Sequence, residues 1–208
     1  RAYSPTSSLS TTSMKHILVK FFVVLSISLH GFCETETTID AGRGDVSIYI
    51  PDSYESKKPI PLIVALHGFT GSSEIVKKHW RMIRLVDDKN FILCVPEGTK
   101  NSEDKRFWNA TKACCDFDNG AIDDAGYLRS LVELIEKKYA VDPKSIHIMG
   151  HSNGGFMSFR MACEHSDKIA SVQSLAGAMF LIAEDHKPTE PVHVLQVHGT
   201  KDKIIKYD

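Results

Sequence analysis

The sequence predicts an α/β fold: one domain with a mostly parallel central sheet and helices on both of its faces. Three observations carry that prediction. Apolar runs at Leu62–Leu66, Phe91–Val95 and Val192–Val197 have the length and composition of strands buried on both faces. Amphipathic stretches alternate with them, the clearest running from Asp123 to Tyr139. A short strand, Ile146–Met149, enters a glycine-rich turn and continues as a helix.

In chain order, residues 1–13 are rich in Ser and Thr without periodicity and are expected to be leader sequence ahead of Met14. Lys15, His16 and Lys20 then form a basic region, and Phe21–Leu29 is a run of nine apolar or small polar residues, too short to span a bilayer. Gly31-Phe32-Cys33 supplies small residues at a cleavage position. Residues 14–33 therefore read as a signal peptide, with an uncleaved anchor as the alternative. The expectation is a secreted, extracellular domain over residues 34–208, free of the membrane after cleavage. Thr37–Asp40 and Asp45–Ile50 form an edge hairpin around Gly42-Arg43-Gly44, because Val46, Ile48 and Ile50 alternate with polar neighbours. That glycine turn also explains the Arg43-Gly44-Asp45 tripeptide better than integrin binding does.

Leu62–Leu66 is the first buried strand and ends in His67-Gly68-Phe69. Residues 72–90 read as a helix with Ile75, Trp80, Ile83 and Leu85 inward. After Phe91–Val95 the stretch Thr99–Asn119 is polar and irregular, a long loop of the kind that often binds ligands. Asp123–Tyr139 buries Leu128, Leu131, Val132, Ile135 and Tyr139, with acids at its start and Lys137-Lys138 at its end. Ile169–Leu175 and Val192–Val197 complete the strands.

Chemistry enters at Gly150-His151-Ser152-Asn153-Gly154-Gly155. A strand, a G-x-S-x-G turn and a helix make the nucleophile elbow of an α/β-hydrolase. The turn has to lift Ser152 above the sheet on a strained backbone, and it sets the hydroxyl at a helix N-terminus, where developing negative charge is favoured. The backbone N–H groups of Asn153 and Phe69 are positioned as an oxyanion hole. A serine also needs a base and an orienting acid. Asp202 follows a buried strand by a few residues, where a loop carries an acid to the rim of the sheet; a turn aspartate is the alternative. No histidine follows Asp202 within the 208 residues. His67, His151, His186, His193 and His198 all precede it and read as structural, which places the base on sequence beyond Asp208.

These landmarks occur in one order: Leu66-His67-Gly68, Trp108-Asn109 with Cys114-Cys115, Asp123-Asp124-x-Gly126-Tyr127-Leu128, Val141-Asp142-Pro143, the elbow, Ala176-Gly177, and His198-Gly199-Thr200-x-Asp202. The set resembles the secreted polyhydroxybutyrate depolymerase and feruloyl esterase-like family of α/β-hydrolases. The resemblance implies Ser152 as nucleophile, Asp202 as triad acid, a later histidine as base, and a last strand and helix beyond Asp208. It implies a carboxylic ester hydrolase acting on a small or polymeric ester, and a fragment inactive without its histidine. An acetylxylan esterase, a peptidase or a non-catalytic binding module are the alternatives. Trp108 and His67 are expected to line the substrate pocket.

Charge and cysteine content set the remaining bounds. With 25 basic and 26 acidic side chains and no basic run, the chain is not built for nucleic acid. No H-E-x-x-H spacing points to a metal, and no cofactor is implied. Cys94, Cys114, Cys115 and Cys163 follow the signal region, an even number that permits disulfides in a secreted chain. A bridge between adjacent cysteines strains the peptide between them, so Cys163 is expected to pair with Cys114 or Cys115. Asn109-Ala110-Thr111 is a glycosylation sequon, usable at Asn109 if exposed.

Overall fold

The computed structural model describes residues 35–179 and 187–207. The expected leader and signal peptide lie outside the described residues, as does His186. Strands β1 (Thr35–Asp40) and β2 (Asp45–Ile50) pair antiparallel, with Thr35 opposite Ile50. Their turn depends on glycine: Gly42 and Gly44 sit at φ +94° and +91°, and Asp40 Oδ1 accepts N–H bonds from Gly42, Arg43 and Gly44 at 2.7–3.1 Å.

The apolar runs become β3 (Ile60–Leu66), β4 (Ile92–Val95), β7 (Val141–His151), β8 (Ser171–Leu175) and β9 (His193–Val197). Between them lie the two-residue strands β5 (Thr99–Lys100) and β6 (Arg106–Phe107), which pair only with each other. The main sheet has the order β1-β2-β4-β3-β7-β8-β9, and every neighbour from β4 to β9 is parallel. Helices α1 (Ser73–Trp80), α2 (Val86–Lys89), α3 (Asp124–Lys138) and α4 (Asn153–Glu164) complete the fold. Among the described residues no helix is long and apolar enough to cross a membrane.

Two cores form because the central strands β3 and β4 carry buried apolar side chains on both faces. In contrast β9, expected to be buried likewise, is exposed at all five residues, since it has only β8 beside it among the described residues. One gathers Leu62, Val64, Ile148 and Val172 with Leu128, Leu131, Phe156 and Phe159 from α3 and α4. The other gathers Tyr49, Ala65, Leu93 and Val95 with Val76 and Val86 from α1 and α2. In α3 the expected face is buried at Leu128, Leu131, Val132 and Ile135, and Asp123 caps the helix by accepting the Gly126 N–H at 2.8 Å.

Residues 72–90 depart from the expected single helix. Arg81 takes a left-handed conformation at φ +54° and ends α1; a short 3₁₀ turn, Met82–Leu85, follows before α2. The break resets the helical phase for the residues that follow Arg81. Ile75 and Leu85, expected inward, are 47% and 44% exposed, and Val76 and Val86 take the buried places.

The register sets up the site. Leu66, Gly150, Ser174 and Gln196 stand level across β3, β7, β8 and β9. His67, Ser152, Ala176 and His198 therefore leave the sheet at its carboxyl edge, where ligands of open parallel sheets bind.

Candidate active site

Ser152 follows β7 directly and caps α4 with φ +52° and ψ −119°. That conformation is costly for a residue with a Cβ and persists only where its surroundings enforce it. Here the enforcement is visible on both sides. The Ser152 N–H is held by Leu175 O at 2.8 Å, and Ser152 O accepts the Phe156 N–H at 3.0 Å. A Cβ on Gly150 would lie 2.0 Å from Gly154 O, and one on Gly154 would lie 2.5 Å from both Leu66 O and His67 O. Strand, helix and the end of β3 thus meet at distances that exclude a side chain at either glycine. Ser152 is half-buried, at the mouth of that junction.

The segment after β3 lies against the serine. A Cβ built on Gly68 would be 3.4 Å from Ser152 Cβ. The segment is held by Thr70 N–H to Arg106 O at 2.8 Å and by Gly71 N–H to Gly68 O at 2.9 Å. Neither the Phe69 nor the Asn153 N–H has an intramolecular acceptor among the described residues. The Phe69 ring meets Phe117 edge-on at 5.5 Å, and Phe117 is 65% exposed.

Asp202 lies in the loop after β9. Its Oδ1 accepts the N–H groups of Ile204 and Ile205 at 2.8 and 3.0 Å. These two bonds hold its carboxyl below the usual carboxylate range, and the nearby His198 and His151 lower it further. His198 Nε2 is 3.7 Å from Asp202 Oδ2, but both its nitrogens are committed. Nε2 donates to Ile205 O at 2.7 Å, and Nδ1 faces the Gln196 amide at 3.1 Å. Asp118 and Asp123 are engaged elsewhere, on Ser102 and at the start of α3.

Three expectations need correction. Trp108 does not wall a pocket: it is fully enclosed in the core, and its indole N–H donates to His67 O at 3.0 Å. A buried indole needs an acceptor, and the end of β3 supplies one. His67 is likewise interior, 1% exposed, with Nε2 accepting the Gly98 N–H at 2.9 Å. Asn109, the sequon residue, is half-buried and donates from Nδ2 to Ile122 O at 2.9 Å. The disulfide joins Cys114 to Cys115, and Cys163 is a free, buried thiol. The reason is distance along α4. Cys114 Sγ lies 3.6 Å from Asn153 Nδ2 at the start of the helix. Cys163 is ten residues further on, about 15 Å at 1.5 Å per residue, far outside disulfide reach.

Sequence reasoning missed two groups that brace this edge. Arg43 forms an ion pair with fully buried Asp124, donates to Asp123 O and Thr99 Oγ1, each at 3.1 Å, and stacks on Tyr127 at 4.1 Å. Glu97 receives the Ser73 N–H at 2.8 Å and pairs with Arg106 at 2.5 Å. Neither pair is adjacent in sequence, so no motif announced them. No cluster of three or more His, Cys, Asp or Glu suited to a metal occurs among the described residues.

A largely parallel sheet whose central strand delivers a serine at positive φ to the start of a helix defines an α/β-hydrolase. Within that class the chain belongs to the esterase family described as "Putative esterase", which it matches over residues 41–204. Among curated proteins it is 30% identical over 148 residues to "Putative esterase NocK" of Nocardia uniformis subsp. tsuyamanensis, covering 71% of this chain and 42% of that one. It is 27% identical over 169 residues to feruloyl esterase B of Piromyces equi, covering 78% and 30%. With feruloyl esterase C of Emericella nidulans it shares 26% over 186 residues, covering 85% and 63%. The chain thus spans less than half the length of the first two relatives. Of solved structures, a thermostable esterase superposes with a TM-score of 0.61 at 14% identity, covering 83% of this chain and 48% of that one. The acetyl xylan esterase of Aspergillus awamori gives 0.57 at 20%, covering 70% and 53%. At those identities the likeness is one of fold.

Proposed function

We propose that this chain carries the nucleophile and acid of a secreted serine carboxylic ester hydrolase of the feruloyl esterase or polyhydroxybutyrate depolymerase type. The observation that carries the reading is Ser152, held at φ +52° between two glycines at the start of α4. In this mechanism Ser152 Oγ attacks the ester carbonyl carbon while a histidine takes its proton. The carbonyl oxygen becomes an oxyanion, received by the Phe69 and Asn153 N–H groups. Collapse breaks the ester C–O bond, the histidine's proton leaves with the alcohol, and an acyl-enzyme remains. Water repeats the sequence and frees the acid. Asp202, held ionised by its backbone donors, orients the histidine. Because His198 has both nitrogens engaged, it is not assigned as the base.

An aromatic acyl group is favoured by the Phe69–Phe117 pair next to the Gly68 segment, and relatives named feruloyl esterase agree with it. Secretion rests on the basic and apolar pattern of residues 14–33. Ser152→Ala and Asp202→Asn in the full-length enzyme test the assignment, with methyl ferulate, p-nitrophenyl acetate and hydroxybutyrate oligomers as substrates. The first is expected to lower kcat by about 10⁴-fold or more, the second by about 10²–10⁴-fold. Wild-type turnover in Ser152→Ala removes the nucleophile, and a preference for acetyl over feruloyl esters moves the substrate class.

A further inference from the structure

The two oxyanion donors belong to segments 84 residues apart, yet one buried residue ties them together. Asn153, fully buried, is the first residue of α4. Its amide pairs reciprocally with the main chain of Trp108: the Trp108 N–H donates to Asn153 Oδ1 at 2.7 Å, and Asn153 Nδ2 donates to Trp108 O at 2.8 Å. The β5–β6 ladder ends at Phe107, so the asparagine amide replaces a strand partner at the next residue. Trp108 O also accepts the Ala110 N–H at 2.8 Å, which uses its second lone pair. On its other side the Trp108 indole donates to His67 O at 3.0 Å, and its ring lies 5.0 Å from the His67 ring. His67 O belongs to the peptide just before the one that carries the Phe69 N–H.

We propose that the side chains of Trp108 and Asn153 are positioning residues that set the spacing of the Phe69 and Asn153 backbone donors. The proposal rests on Ser152 being the nucleophile. Its physical content is preorganisation. The oxyanion exists only after attack, so donors held in advance stabilise the transition state at no cost of reorganisation, and they do little for the ground-state ester. All members of this bracket are buried, so its hydrogen bonds do not compete with water. Asn153 is thereby restricted twice over: its main chain is a donor, and its side chain holds the partner segment.

The test uses Asn153→Asp and Trp108→Phe in the full-length enzyme, beside Ser152→Ala. Asp keeps the acceptor and loses the donor to Trp108 O; Phe keeps a ring and loses the indole N–H. With p-nitrophenyl acetate each variant is expected to lose about 10–100-fold in kcat, as a sub-ångström to 1 Å misplacement does. KM is expected to change by less than about threefold, because ground-state binding is untouched. The inhibition constant of phenylboronic acid, which becomes a tetrahedral anion on the serine, is expected to rise by the same factor as kcat falls. A folded variant with wild-type kcat overturns the proposal. So does a raised KM with kcat retained, which would return Trp108 to the pocket. Should Asn153→Asp not fold, Trp108→Phe decides alone. Activity surviving in Ser152→Ala would instead sink the nucleophile reading, a result separable from either outcome.

Discussion

In His67 both ring nitrogens are committed: Nε2 accepts the Gly98 N–H at 2.9 Å, so the proton sits on Nδ1 and faces Gly68 O at 2.7 Å. Burial pushes its pKa below the ordinary 6.5, since a charged ring there has no water and would lose its acceptor nitrogen. The folded state therefore resists a proton that the unfolded state accepts. Stability from this group is complete above about pH 6.5 and is lost as pH falls below that toward the folded value. Urea midpoints at pH 7.5, 6.5 and 5.5 are expected to fall across the series, and His67→Asn is expected to flatten part of that fall. An identical slope in the two proteins would contradict the assignment. Cys163 offers a second test at this scale. It is 7% exposed, and burial raises its thiol pKa. Iodoacetamide is expected to leave Cys163 and fully buried Cys94 unlabelled in the native protein and to alkylate both after unfolding. Recovery of Cys163 in a crosslinked peptide would overturn the pairing described above.

Between elements, β7, α4 and β3 meet in a close contact made by glycines. Methyl groups at Gly150 or Gly154 would meet backbone at 2.0–2.5 Å, and backbone cannot yield as a flexible side chain does. Gly150→Ala and Gly154→Ala are each expected to lose about 3 kcal/mol or more in urea unfolding, or to fail to fold. Loss of activity with unchanged stability would place the constraint at the serine alone. The elbow was legible in the sequence because strand, turn and helix are consecutive there, and local sterics demand glycine at those positions. The break at Arg81 was not. A left-handed arginine has no composition signal, and only the packing of Val76 and Val86 against the sheet decides that α1 stops there.

At the scale of the whole molecule, β9 is the outermost strand of the sheet among the described residues. All five residues of β9 are exposed, with Val194, Leu195 and Val197 at 53%, 55% and 43%. Leu195 and Val197 share a face with Gln173 and Leu175 of β8, beside an apolar hollow of about 220 Å³ lined by Trp80, Met82, Met149, Gly150, Gln173 and Leu175. An unpaired edge with apolar side chains recruits other chains. Residues 34–208 produced alone are therefore expected to associate, and Leu195→Lys with Val197→Lys is expected to shift sedimentation toward monomer. A wild-type monomer at high concentration would show that the edge is harmless.

What the sequence determined by itself was largely written in consecutive residues: the central buried strands, α3, the elbow with Ser152, and the Gly42–Gly44 turn. Periodicity and local sterics act over a few residues, so they survive in one dimension. Tertiary structure alone decided that Trp108 faces inward to His67 and Asn153, that Arg43 holds Asp124, and that Asn109 donates its amide to Ile122. It also decided that Cys163 stands a helix length from Cys114. The three polar cases depend on where a side-chain polar atom finds its partner, and that partner lies 13 to 81 residues away along the chain. Burial makes the pairing obligatory, and the fold determines which residue supplies it.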